Sequence, residues 1–472
     1  RIENGRIAET GERADGPTDR VLDASGGLVM PGLANAHFHS TESFNRGRID
    51  NFPLEVWRNF TLPSTLDKNP FTERELYLRT MLGCLEMLKV GVTTAVDDVN
   101  LSHNLDEETA APVFQAYQDA RIRAVVGVSL LDKPLLHGVP FLEKVMPKEM
   151  QTRLTRPPSL PPKEQIAFAR ALHARWNGPD SRVRFSLNPS APQRCTDAFL
   201  GDLWALGEEL DLPIFTHVLE TKVQAVTGRV FYGKTIVAHM EELGLLTPRT
   251  NLIHSVWVTE EDIGRIARGG ASVVSNPASN LKLGAGIAPL RKLLTAGVNI
   301  ALGSDGTETN DRHNAFETMK FASLLQKVAG PDIGDSLTAR DAFRMATEGA
   351  ARCAGLGEET GVLAPGRRAD LVILDLRKPH FVPLNNILNH LVYCEDGSSV
   401  RASVIDGEVV MENGEIQTVD EAALLEETNE VAAHYFEKHR EGFRFAEEMA
   451  PYFWKIHRRC AEEDVGVNGW TE

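Results

Sequence analysis

The alternation of apolar and polar positions divides the chain into three textures. Residues 1–31 and 360–418 consist of short β-like runs cut by Gly and Asp turns, RIENGRIAETG and VLDASGGLVMPG early, GRRADLVILDL and ASVIDGEVVMENGE late. Two such stretches on either side of a long middle predict one small β-sandwich built from both chain ends. Residues 32–359 alternate short apolar runs with longer helical patterns. Eight runs there read as strands: LANAHFH, VTTAVDDV, IRAVVGVSL, VRFSLNPS, LPIFTHVLE, NLIHSVW, ASVVSN and VNIALGSD. Each is followed by enough chain for a helix, which implies parallel strands joined by right-handed crossovers. Eight repeats predict a closed (β/α)8 TIM barrel of the α/β class, with an open doubly wound sheet as the rival. Residues 419–472 change character again. This charged, aromatic, helical stretch, which Pro451 is expected to break, reads as an extension capping the barrel or a neighbouring subunit.

Composition narrows the classes. A chain of 472 residues with 42% hydrophobic and 25% charged positions is an ordinary globular protein. Its formal net charge of -16 speaks against a nucleic-acid partner, which needs clustered Lys and Arg. No apolar run approaches about 18 residues, so no membrane span is expected. The five cysteines (Cys84, Cys195, Cys353, Cys394, Cys460) are scattered and include no CxxC pair. That indicates neither a thiolate zinc site nor a disulfide framework, and makes reduced thiols in a cytoplasmic setting the expectation. The chain opens abruptly at Arg1 inside a strand–turn unit, as one lacking a short N-terminal piece would. The absence of a targeting segment therefore carries little weight.

The chemistry sits at the C-terminal ends of the predicted strands, where barrel active sites are built. His37 and His39 end the first strand; a spacing of two puts both imidazoles on one strand face, and two side by side suit a borderline divalent metal. His217 ends the fifth strand with Glu220 three residues on, His254 ends the sixth, and Asp305 breaks the apolar run of the eighth. Any one of these fits a satisfied buried polar group or a helix cap. Their recurrence at equivalent strand ends does not.

The ordered set PGLANAHFHS, HVLE, NLIH, SNPASNLKLGAGIAP, GSDG and GVLAPGRRADLVILD resembles the amidohydrolase superfamily. Within it, the similarity is to the branch of S-adenosylhomocysteine/methylthioadenosine deaminases, guanine and cytosine deaminases and triazine hydrolases. It covers all but roughly the last 50 residues. The resemblance implies a barrel with a small β-sandwich and one divalent metal, zinc first and iron in some members. The implied ligands are His37, His39, His217 and Asp305, with Glu220 and His254 catalytic beside Asp305. Such a metal lowers the pKa of bound water from 15.7 towards about 7. Asp305 would take that water's proton, Glu220 would protonate the leaving nitrogen, and His254 would stabilise the developing charge. Binuclear members bridge two metals through a modified lysine at the end of strand four; VRFSLNPSAP holds no lysine, which favours one metal.

The expected reaction is deamination of a heterocyclic amine (purine, pyrimidine, pterin or triazine-like) by metal-bound hydroxide. The alternative is the same site displacing chloride or alkylamine, or cleaving an amide. A non-catalytic scaffold would show lost ligands, and none is lost. Substrate contacts are less legible. Arg46 reads as a substrate neighbour or as a solvated surface arginine, and His103 as a pocket residue or plain surface. Ser190 stands where adenosine-type deaminases carry a substrate-contacting histidine, which puts nucleoside specificity in doubt. Gln193 and Arg194 in the same turn are pocket residues or loop polar groups. Asn276 and Asn280 read as caps or turns, and His239 as a helix residue. A homo-oligomer acting on a small heterocycle is expected, homodimers being common among enzymes.

Overall fold

All eight predicted runs form strands in the computed structural model, which describes every residue except 13–15, 17, 62, 64–68, 102–104, 156–157, 179, 330–331 and 471–472. Near the N-terminus, β1 (Ile2–Glu3) and β2 (Arg6–Ile7) make a hairpin, followed by β3 (Gly27–Pro31). The barrel strands are β4 (Leu33–Phe38), β5 (Val92–Val99), β6 (Arg123–Leu130), β7 (Val183–Pro189), β8 (Ile214–Val218), β9 (Thr250–His254), β10 (Ser272–Ser275) and β11 (Ile300–Leu302). They pair in sequence order, each parallel to the next. The Asp305 N–H donates to the His37 carbonyl at 3.0 Å and draws the end of β11 onto β4. Ala34, Ala36, Val96, Val125, Phe215, Ile253, Val274 and Ala301 form a separate apolar cluster drawn from seven of these strands, the packed interior of the barrel.

The second sheet joins the two chain ends. β12 (Leu371–Asp375) lies antiparallel between β3 and β13 (Val400–Ile405), followed by β14 (Glu408–Glu412) and β15 (Glu415–Ile416). Alternation along β12 sends Leu371 and Ile373 into a small core with Ala402 and Val404, and Val372 and Leu374 into the main core shared with the barrel helices. The β1–β2 hairpin joins this unit through the Ile7 N–H to the Arg367 carbonyl at 2.9 Å. The architecture is a (β/α)8 barrel with a small β-sandwich.

Charged groups fasten the two units at the N-terminal ends of the strands. Arg123, which opens β6, donates to Asp370 through Nε at 2.6 Å and Nη2 at 3.1 Å, and to Asp406 at 2.5 Å. Arg182 adds a bond to Asp406 at 3.0 Å, and Arg184 and Arg368 share Glu359.

Pro451 corrects one expectation. The tail comprises two helices, and the break between them falls at His439, with Pro451 inside the second (Arg440–Ala461). A mid-helix proline costs about 3 kcal/mol. Phe445, Met449, Phe453, Ile456 and Cys460 form a buried stripe along that helix, and each large apolar side chain contributes about 1.5–3 kcal/mol. Packing therefore outweighs the proline, whose own ring is exposed. The stripe lies on α1 (Leu54–Thr61), while Tyr435 of the first tail helix encloses the guanidinium of Arg79, on α2 (Glu73–Lys89), together with Phe44 and Phe71. The extension thus packs on its own barrel. The five cysteines are unpaired, as expected. Among the described residues no helix is long and apolar enough to cross a membrane.

Candidate active site

Three histidines and an aspartate meet at the C-terminal rim of the barrel. The register between β4 and β5 slips between Asn35 and Phe38. Ala34 and Ala36 fill the interior below the slip; above it His37 and His39 turn inward, while Phe38 packs outward on Gly83 of α2. Such a bulge re-aims side chains, and here it brings two imidazoles to one side. His37 Nε2 and His39 Nε2 lie 3.5 and 3.3 Å from Asp305 Oδ1. Donor atoms of His37, His217 and His254 lie within 4.8 Å of one another, and so do those of His37, His39 and Asp305.

Hydrogen bonds outside this cluster fix the tautomers. His39 donates its Nδ1–H to the Asp98 carbonyl, and His217 donates its own to the Ser190 carbonyl, both at 2.7 Å. A carbonyl only accepts, so each neutral ring carries its proton on Nδ1 and turns a bare Nε2 to the centre. His37 Nε2 is buried and, among the described residues, makes no hydrogen bond, with Asp305 Oδ1 3.5 Å away. Burial, and then the neighbouring imidazoles, push His217 well below its usual pKa; burial likewise lowers His37. Burial opposes protonation of His39 too, but Asp305 and Asp98 outweigh it and raise that ring. Burial also resists the charge on Asp305, yet the neighbouring His37 first, and then the charges of the other imidazoles, hold its carboxyl well below the ordinary range. Ser279 donates to Asp305 Oδ2 at 2.6 Å and fixes the carboxylate. An orphaned imidazole nitrogen, two more presented by carbonyl-anchored rings and an ionised carboxylate make a donor set that fits a divalent cation.

Glu220 and His254 flank this set. Both are buried, with Glu220 Oε2 3.6 Å from His254 Nε2, and the latter 3.9 Å from Asp305 Oδ2. Burial, then Asp305 and Glu55, raise the Glu220 carboxyl well above its ordinary pKa. Burial lowers His254 to about 4. Its Nδ1–H donates to Asn280 Oδ1 at 2.9 Å, which leaves Nε2 as an acceptor facing the cluster. Leu219, His254, Ser255 and Asp305 take φ values of 51, 72, 48 and 60°, left-handed conformations that non-glycine residues seldom adopt. Strained backbone of this kind concentrates where side chains must be held at a fixed point.

A cavity of about 400 Å³ opens onto the cluster, lined in part by His39, His217, Glu220, Trp57, Ser190 and Gln193. That volume suits a small molecule. Ser190 and Gln193 therefore line the cavity beside the cluster. Arg46 does not: it is exposed, pairs with Glu86 and is not among the lining residues. His103 lies outside the described residues. His239 is a helix residue bonded to Asp197 at 2.9 Å. Sequence reasoning missed Ser279, Arg58 and Glu42, and read Asn280 as a turn residue. The only signal for Ser279 and Asn280 was their place in SNPASN, just after a strand end.

The chain is similar to proteins of known family. A model described as the amidohydrolase family matches residues 28–410. A 5-methylthioadenosine/S-adenosylhomocysteine deaminase of Syntrophobacter fumaroxidans is 36% identical over 436 residues, covering 91% of this chain and 92% of that protein. A 5'-deoxyadenosine deaminase of Methanosarcina mazei is 33% identical over 432 residues, covering 91% and 92%. Among solved structures, an adenosine deaminase from Xanthomonas campestris with bound zinc superposes with a TM-score of 0.76 at 29% identity, covering 88% of this chain and 87% of that one. An atrazine chlorohydrolase from Arthrobacter aurescens, complexed with zinc, shares the fold with a TM-score of 0.82 at 24% identity, covering 91% and 94%.

Proposed function

This chain belongs to the amidohydrolase family, and from that membership we propose that it hydrolytically deaminates a heterocyclic amine of the purine, pyrimidine, pterin or triazine type. We assign one divalent cation, zinc before iron, to His37, His39, His217 and Asp305. The observation that carries the reading is this donor set with the buried carboxyl of Glu220 and the buried imidazole of His254 beside it, 3.6 Å apart. A cation bound there supplies an activated water as nucleophile at neutral pH.

The remaining roles belong to the chain's own side chains. Asp305, held ionised, accepts a proton from the attacking water. Burial raises the Glu220 carboxyl and favours its protonated form, the form that donates to the nitrogen that must leave. Water adds to the amine-bearing carbon, the carbon–nitrogen bond breaks and ammonia departs. His254 offers Nε2 to an O–H of the incoming water, with Asn280 as the anchor that keeps its ring from turning. Ser190 and Gln193 form the adjoining wall and orient the ring. The deaminase names among relatives at 33–36% identity support amine hydrolysis. The test is ammonia release from zinc-loaded protein across aminated purines, pyrimidines, pterins and triazines. Turnover of at least one is expected; release from none overturns the assignment.

A further inference from the structure

The cavity is cationic in a chain that is not. Its lining includes Arg58, Lys133, Arg153 and Arg194 against the carboxylates Glu42 and Glu220, whereas the whole chain carries a net charge of -16. Among the described residues the Arg58 guanidinium has neither a hydrogen bond nor an ion pair. Arg194 has one hydrogen bond, to Ser190 Oγ at 2.6 Å, and its Nε is buried without a partner. Elsewhere the chain treats such groups differently. Arg123, Arg182, Arg184 and Arg368 each meet a carboxylate, and Arg79 is enclosed by three aromatic rings. Arg58 and Arg194 have neither arrangement. Two desolvated guanidinium groups lining one cavity repel: burial, and next the charge of Arg194, pull Arg58 down to about 9. An anion between them would relieve both.

The pair adjoins the reacting end of the cavity. Arg194 bonds the side chain of Ser190, whose carbonyl anchors His217. Arg58 is close enough to Glu220 for each to perturb the other. An anion held there sits beside the reacting ring, not on a long tail at the mouth. A planar guanidinium fork matches a carboxylate in two-point contact. We infer that the substrate is a heteroaromatic amine bearing a carboxylate on its ring, clamped between Arg58 and Arg194. This rests on the deaminase reading above and narrows it.

Matched pairs test it: pterin against pterin-6-carboxylate, and cytosine against cytosine-5-carboxylic acid, assayed for ammonia release by zinc-loaded protein and for calorimetric binding to the Glu220→Gln variant. In at least one pair the carboxylate is expected to be favoured on the order of 100-fold in kcat/KM. Arg58→Met and Arg194→Met should each remove most of that preference with metal content and melting temperature kept, and Arg194→Lys should retain part of it. No preference for the carboxylate in either pair, or a preference that survives in the double methionine variant, overturns the inference. So does inorganic phosphate binding the Glu220→Gln protein more tightly than either carboxylate. The two readings fail separately. Charge-selective binding without ammonia from any heterocycle sinks the deaminase reading and leaves the clamp; ammonia from neutral heterocycles with no charge preference does the reverse.

Discussion

The two ends of the barrel handle buried charge in opposite ways. At the N-terminal ends of the strands, Arg123, Arg182, Arg184 and Arg368 are matched by Asp370, Asp406 and Glu359, and nearly every donor finds an acceptor within the protein. At the C-terminal ends, among the described residues, His37 Nε2 makes no hydrogen bond, and Glu220, Arg58 and Arg194, all lining the cavity, form no Lys/Arg–carboxylate ion pair. The first arrangement holds the sandwich to the barrel. The second leaves bonding capacity for groups the chain does not itself supply. Unsatisfied polar atoms are costly in an interior and persist where something else completes them, so the contrast separates a joint from a site without reference to any relative.

The largest effects should come from emptying the rim. Asp305→Ala or His217→Ala removes an assigned ligand; metal content measured by atomic absorption should fall and kcat/KM should drop by about 10^4-fold or more. Full activity with full metal in either variant would remove that residue from the ligand set. Glu220→Gln should be gentler, a loss on the order of 10^2- to 10^4-fold in kcat with stoichiometric metal retained. The expected pattern is chemistry lost and binding kept.

At the other end the same kind of change should act on stability alone. Arg123→Met strands Asp370 in a buried position, since Arg123 is its direct salt-bridge partner. Removing one member of a buried pair costs about 3–5 kcal/mol, read as a lower midpoint in urea unfolding. Below that midpoint kcat per folded molecule should match the wild type. A variant that kept its stability but lost turnover would erase the distinction drawn between the two ends.

How far the chain disclosed this arrangement depended on what kind of fact was sought. Strand periods and strand-end polar residues are local, so the eight barrel strands and the places of His37, His39, His217, Glu220, His254 and Asp305 at or near strand ends were readable from the residue pattern, while their grouping into ligands and catalytic residues came from the family resemblance. The partners that orient them were not. Whether Asn280 turns to His254, or Ser279 to Asp305, depends on loops whose backbone is left-handed at His254 and Asp305, and no periodicity encodes that. Arg58 was silent because it lies on an ordinary amphipathic helix, and its exposure to the cavity exists only once α1 is docked. Pro451 misled in the other direction: local propensity was read correctly, and a buried stripe along the whole helix overrode it.

The smallest expected effect distinguishes the ends by sign. The Asp406 carboxyl lies below its ordinary 3.8; burial opposes this, and the charges of Arg123, Arg182 and Arg368 outweigh burial. A carboxyl depressed on folding adds stability that is present above its unfolded pKa and lost as pH falls through the folded value. Asp406→Asn should therefore be less stable than the wild type at pH 7, with the gap closing as pH drops below 3.8. Glu220 runs the other way. Its carboxyl is raised by burial, so its charged form opposes folding, and stability is lost as pH rises through the raised value. In chelator-treated protein, Glu220→Gln should be more stable than the wild type at alkaline pH and indistinguishable from it well below 4.5. Urea unfolding of the two variants across pH 3 to 9 reads both gaps. If both carried the same sign, the rim would be one more set of satisfied ion pairs, and the burial of Glu220 would no longer mark it as the proton donor.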